Sequence, residues 1–89
     1  MIKVVWTEYL KYRVLLRGFE PAVIEQIVRS SAERYFDSAT QRMIAVGRHD
    51  DLLVMIPYDQ EGDTVTPVTI HSTSRQQISF RLRTGRFRP

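Results

Sequence analysis

With 89 residues and 43% apolar side chains, the chain is sized for one domain around one small core that needs no staple to fold. It has no cysteine and only two histidines, His49 and His71, and no apolar run near the ~20 residues of a membrane span; disulfides, thiolate metal centres, a structural zinc site and a spanning helix are excluded. Net charge is +3 and unevenly spread: residues 65–89 carry Arg75, Arg81, Arg83, Arg86 and Arg88 with no acid, whereas residues 1–64 hold eight basic and ten acidic residues.

Residues 2–6 are β-branched and aromatic and predict a strand. Thr7 is placed to cap a helix on which Leu10, Val14 and Leu15 recur at helical spacing, and Arg17-Gly18 ends it, with Gly18 as the left-handed cap. Pro21 suits a first helical position, and Val23, Ile24, Ile27 and Val28 form the apolar stripe of a second helix. From Glu33 the period changes, and residues 34–36, 42–46 and 52–58 predict an antiparallel meander, divided by Asp37-Ser38-Ala39-Thr40 and His49-Asp50-Asp51. After a polar turn, residues 64–73 predict a further strand, in which Pro67 requires an edge position or a bulge. Ser74 could cap a last helix over residues 75–84 with Ile78, Phe80 and Leu82 as apolar contacts, although their alternation also fits a strand. The expected fold is α+β: β-α-α, then a curved antiparallel sheet of three to four strands and a short C-terminal helix, in one domain at 1–84 with a basic tail at 85–89.

An acid-free, arginine-rich end points to a polyanionic partner, because the guanidinium fork grips phosphate oxygens in pairs and stacks on bases. Nucleic acid is the leading partner class. The N-terminus lacks the apolar region of a signal peptide, so the cytoplasm is the expected location.

In the strand at 64–73, two-residue periodicity puts Thr66, Val68, Ile70 and Ser72 on the core face and turns His71 outward beside Thr69 and Thr73, four residues before Arg75. An imidazole next to hydroxyls and a guanidinium can act as general acid or base beside a phosphate clamp, and it can equally be a surface histidine. Arg42 and Arg48 share a strand face and could rim one surface, or simply mark a charged hairpin. Tyr58 could stack a base or donate its hydroxyl, or it packs. Arg13 and Arg17 share a helix face with Tyr9, either as a cationic strip beside a ring or as a solvated face. Arg83, Arg86 and Arg88 around Phe87 either bind phosphates or fray. No Gly-rich phosphate loop occurs, and Asp50, Asp51, Asp59, Glu61 and Asp63 fall in turns where solvation explains them.

Three stretches carry a resemblance: Tyr12-Arg13-Val14-Leu15-Leu16-Arg17-Gly18-Phe19-Glu20 with Ile24-Glu25 and Val28, then Gln41-Arg42-Met43-Ile44-Ala45-Val46-Gly47-Arg48, then Leu53-Val54-Met55-Ile56-Pro57-Tyr58. In this layout the chain resembles the small BrnT-type toxins of the RelE/ParE superfamily. The resemblance implies a RelE-like fold, the toxin role in a type II toxin–antitoxin pair, and metal-free RNA cleavage by attack of a ribose 2′-hydroxyl on the neighbouring phosphate. By the same resemblance Arg42 and Arg48 match the hairpin arginines, and Arg75 stands near the basic residues after the last strand. The chain departs from the pattern at Arg17, where the family often has His before Gly, and at Thr69-Ile70-His71-Ser72-Thr73-Ser74-Arg75, where His71 offers a substitute proton carrier.

The reading that results is an RNA endonuclease toxin. Its catalytic set is His71 with Arg48, Arg75 and Tyr58, its RNA-binding set is Arg13, Arg17, Arg42, Arg81 and Arg83, and it needs no metal or cofactor. The expected partners are RNA and an acidic antitoxin that covers the groove, in a dimer or a hetero-oligomer, with no membrane. A non-catalytic RNA- or protein-binding module of the same fold, and a plain basic domain, stand as alternatives.

Overall fold

A computed structural model of the chain describes residues 1–89 in the order β1 (Lys3–Val4), α1 (Glu8–Leu16), α2 (Pro21–Ser30), β2 (Glu33–Asp37), β3 (Arg42–His49), β4 (Leu52–Glu61), β5 (Thr64–Pro67), β6 (His71–Thr73), α3 (Arg75–Arg83) and β7 (Phe87–Arg88). The fold is mixed α+β, and the helix ends follow the capping residues. The Thr7 hydroxyl accepts from the Leu10 amide and the Ser74 hydroxyl from the Gln77 amide, so both N-termini gain a partner for an otherwise orphaned donor. Gly18, at φ +74°, lets the chain leave α1 with the Phe19 amide donating to the Val14 carbonyl, and both side chains are buried there.

Seven strands form one sheet, more than the three to four expected, in the order β1-β5-β4-β3-β2-β7, with β6 pairing β4 off that path. β1 runs parallel to β5, and every other pair is antiparallel. The central strand β4 is long enough to pair β5 through Tyr58–Glu61 and β6 through Leu53, Val54 and Met55. The expected single strand at 64–73 is therefore two, separated at residues 68–70, where the Val68 amide donates to the Pro57 carbonyl. The break resets the alternation. Val65 and Pro67 are buried in β5, opposite to the expected face, and Ile70 is buried beyond the break.

Helices cover both faces. Leu10, Val14, Ile24, Ile27 and Val28 of α1 and α2 pack with Ala45, Val54, Ile56, Val65 and Ile70 on one side. On the other, Ile78 and Leu82 of α3 pack with Ile44, Val46, Leu53, Met55 and Phe87. Phe80, expected among the contacts of α3, is 58% exposed, because helical geometry puts residues 78 and 82 on one face and residue 80 on the other. Residues 85–89 are not a separate tail: Phe87 is 1% exposed, stacks on Tyr35 at 5.6 Å, and pairs with Asp37 across β2. The neighbouring Arg86 donates through Nε and Nη2 to the buried Asp37 carboxylate, each at 3.2 Å. His49 is structural, accepting the Glu20 amide on Nε2 at 2.8 Å and meeting Phe19 edge-to-face. No helix is long and apolar enough to cross a membrane.

Candidate functional site

His71 opens β6, whose only neighbour is β4, so the outer edge of this three-residue strand is unpaired. The side chain is half-buried rather than turned fully outward. Its cross-strand partner is Met55, whose Sδ accepts from Arg81 Nη1 at 3.2 Å, and the Arg81 guanidinium also lies 5.4 Å from the centre of the Phe87 ring. These contacts bring a cation from α3 beside His71. The charges of Arg13 and Arg17, from the last turn and C-cap of α1, also bear on His71.

Burial first, and then the charges of Arg13, Arg17 and Arg81, hold the His71 imidazole below its ordinary pKa. The consequence is a neutral ring at pH 7, with a lone pair ready to take a proton. Arg29, Arg42, Arg75 and Arg86 are each paired with a carboxylate, whereas Arg13, Arg17 and Arg81 have none. Arg13 Nε is moreover buried without any hydrogen-bond partner. Folded proteins rarely leave such a donor empty, and a bound anion would satisfy it. Three uncompensated guanidiniums around one neutral imidazole can bind a phosphate diester and remove a proton beside it.

The remaining expected residues are placed differently. Glu33, Val46, Met55 and His71 follow one another across β2, β3, β4 and β6. Arg75 Nη1 donates to Glu33 Oε2 at 2.6 Å, an oxygen that also accepts from the Tyr35 hydroxyl at 2.7 Å. Its charge is thus held three strands from His71, about 14 Å at ordinary strand spacing. Arg48 is exposed on the sheet face of Leu53, two strands from β6. Arg42 pairs with Asp59 at 3.2 Å. Arg83 is exposed, and two residues along a helix it points away from the side that Arg81 occupies. Tyr58 is 2% exposed, a core residue whose hydroxyl accepts from Arg34 at 3.0 Å, and it offers no surface for a base.

One further feature of the structure had no clear signal in the sequence, and another could have been read from it. The burial of Arg13 Nε depends on how α1 packs against the rest of the fold, which local pattern does not encode. The exposure of Phe80 was readable, since Ile78 and Leu82 already fill the buried face at helical spacing. No group of three or more His, Cys, Asp or Glu side chains is arranged to hold a metal ion. No protein-family model, no curated protein and no solved structure matches this chain.

Proposed function

We propose that the protein is an endoribonuclease that cleaves RNA without a metal, as the toxin of a type II toxin–antitoxin pair with a RelE-like fold. The half-buried His71 at the open edge of β6, with Arg81 on its cross-strand partner Met55 and a buried, unpartnered Arg13 Nε in α1, is the observation that carries this reading. Neutral His71 takes the proton of a ribose 2′-hydroxyl, the oxygen attacks the adjacent phosphorus, and the bond to the 5′-oxygen breaks. The products are a 2′,3′-cyclic phosphate and a 5′-hydroxyl that takes its proton from solvent. The three guanidiniums stabilise the negative charge that builds on the phosphorane, and they also favour return of the imidazolium to its neutral form.

The antitoxin part of the proposal draws support from α1, which exposes Tyr9, Tyr12, Leu15 and Leu16 next to Arg13 and Arg17. A contiguous apolar face beside a cationic site suits a protein partner that is both amphipathic and acidic.

The test is cleavage of a mixed RNA substrate in EDTA by the purified protein and by His71→Ala. The expected result is 2′,3′-cyclic phosphate ends from the wild type and a loss of roughly 100-fold or more in the variant, with RNA binding retained. Binding without any wild-type cleavage would end the catalytic reading.

A further inference from the structure

We propose that the outer groove of α3 is a binding site for one unpaired nucleobase, with Phe80 as its stacking surface. The groove, about 500 Å³, is lined by Ser74, Gln76, Gln77, Phe80, Arg81 and Thr84 of the α3 segment and by Arg86. Phe80 is the one apolar residue in that lining, and no acid belongs to it. A buried role does not explain Phe80, because Ile78 and Leu82 make the contacts of α3 with the sheet.

The lining fits a base better than it fits a protein surface. A protein interface would continue the apolar surface, whereas here an isolated ring is bordered by amides, hydroxyls and guanidiniums. Every base has a π-face that stacks on an aromatic ring, and Gln and Ser side chains hydrogen-bond to base edges. Gln77 Oε1 already accepts from the Thr73 hydroxyl at 3.1 Å, which leaves its amide hydrogens as the groups it presents. Of the two cations, Arg86 is engaged by Asp37, and Arg81 is the uncompensated one.

Arg81 also links this groove to the His71 cluster, since it donates to Met55, the cross-strand partner of His71. A nucleotide whose phosphate meets Arg81 would therefore place its neighbour's base on Phe80. The inference rests on the nucleic-acid reading of that cluster but not on cleavage. Its ligand is a single strand, because the bases of a duplex are stacked on each other and unavailable to an external ring.

Binding of labelled oligodeoxythymidine and of a DNA duplex of equal length is measured for the wild type, Phe80→Ala and Phe80→Trp. Oligodeoxythymidine has no 2′-hydroxyl, so failure of the cleavage reading leaves this assay untouched. Phe80→Ala is expected to weaken single-strand binding about tenfold or more and to leave duplex binding within about twofold, as loss of a stacking platform predicts. Phe80→Trp is expected to retain affinity, with emission beyond that of Trp6 quenched on binding. Unchanged single-strand affinity in Phe80→Ala, or an equal loss for single strand and duplex, would overturn the proposal. Phe80 is on the surface, so folding of these variants is not at stake.

Discussion

His71 is a base or an acid according to what surrounds it, and its surroundings push in one direction. Burial and three positive neighbours each penalise the imidazolium. The acid limb of the cleavage profile should then fall below the ordinary histidine value of about 6.5. Arg17→Gln, at an exposed position, removes one of the repulsive charges and should move that limb upward in pH while lowering the rate. A rate loss with an unmoved limb would mean that Arg17 only holds RNA. Stability follows the same sign. Below about pH 6.5 the unfolded chain binds a proton at this histidine more readily than the folded one, so the native state loses stability as pH falls through that value toward the lower folded pKa. In His71→Gln this part of the loss should vanish from denaturation curves between neutral and mildly acid pH, while the loss tied to Asp37, Glu25 and Glu33 remains at lower pH. Those carboxyls are held below their usual range: Asp37 by Arg86 and the Ala39 and Thr40 amides against the opposing effect of burial, Glu25 by Trp6 and Arg29, and Glu33 by Arg75 and Tyr35. A wild-type curve that matches His71→Gln near pH 6 would refute the depressed pKa.

Between elements, α2 approaches β3 closely at Gly47. A Cβ at Gly47 would lie 2.7 Å from both Cγ1 and Cγ2 of Ile27, so the helix sits on the sheet only because that position has no side chain. Gly47→Ala should cost about 1–3 kcal/mol in denaturant unfolding, the usual range for overpacking. Combined with Ile27→Ala it should cost less than the sum of the two single changes, since the second removes what the first collides with. A neutral Gly47→Ala would show that α2 can shift freely. The sequence showed that a helix with Ile27 on its apolar stripe precedes a strand through Gly47, but not that the two touch. The same division runs through the fold. Thr7, Gly18, Pro21 and Ser74 are local signals, and the elements they bound lie where those residues put them. The break at residues 68–70 and the pairing of β7 depend on distant partners, Pro57 and Asp37, and no local period reports them. At the site, His71 could be singled out by residue type. The capture of Arg75 by Glu33, 42 residues away in sequence, could not.

Over the whole molecule, the charge split that the sequence displays is altered by pairing. Two of the five C-terminal arginines, Arg75 and Arg86, are neutralised by Glu33 and Asp37 of the acid-rich part of the chain. The cations left uncompensated around His71 come from both ends: Arg13 and Arg17 from α1, and Arg81 from α3. Binding of a polyanion should therefore depend on where an arginine is in the fold and not on which end of the sequence it occupies. Each phosphate contact with a single strand contributes about 0.7 to the slope of log affinity against log salt. Arg17→Gln with Arg81→Gln should lower that slope by about one unit, whereas Arg42→Gln with Arg75→Gln, an equal change in net charge, should alter it by much less. Equal reductions from the two pairs, measured with oligodeoxythymidine across a salt series, would mean that the protein binds through its overall charge and that the cluster at the β6 edge has no special part in it.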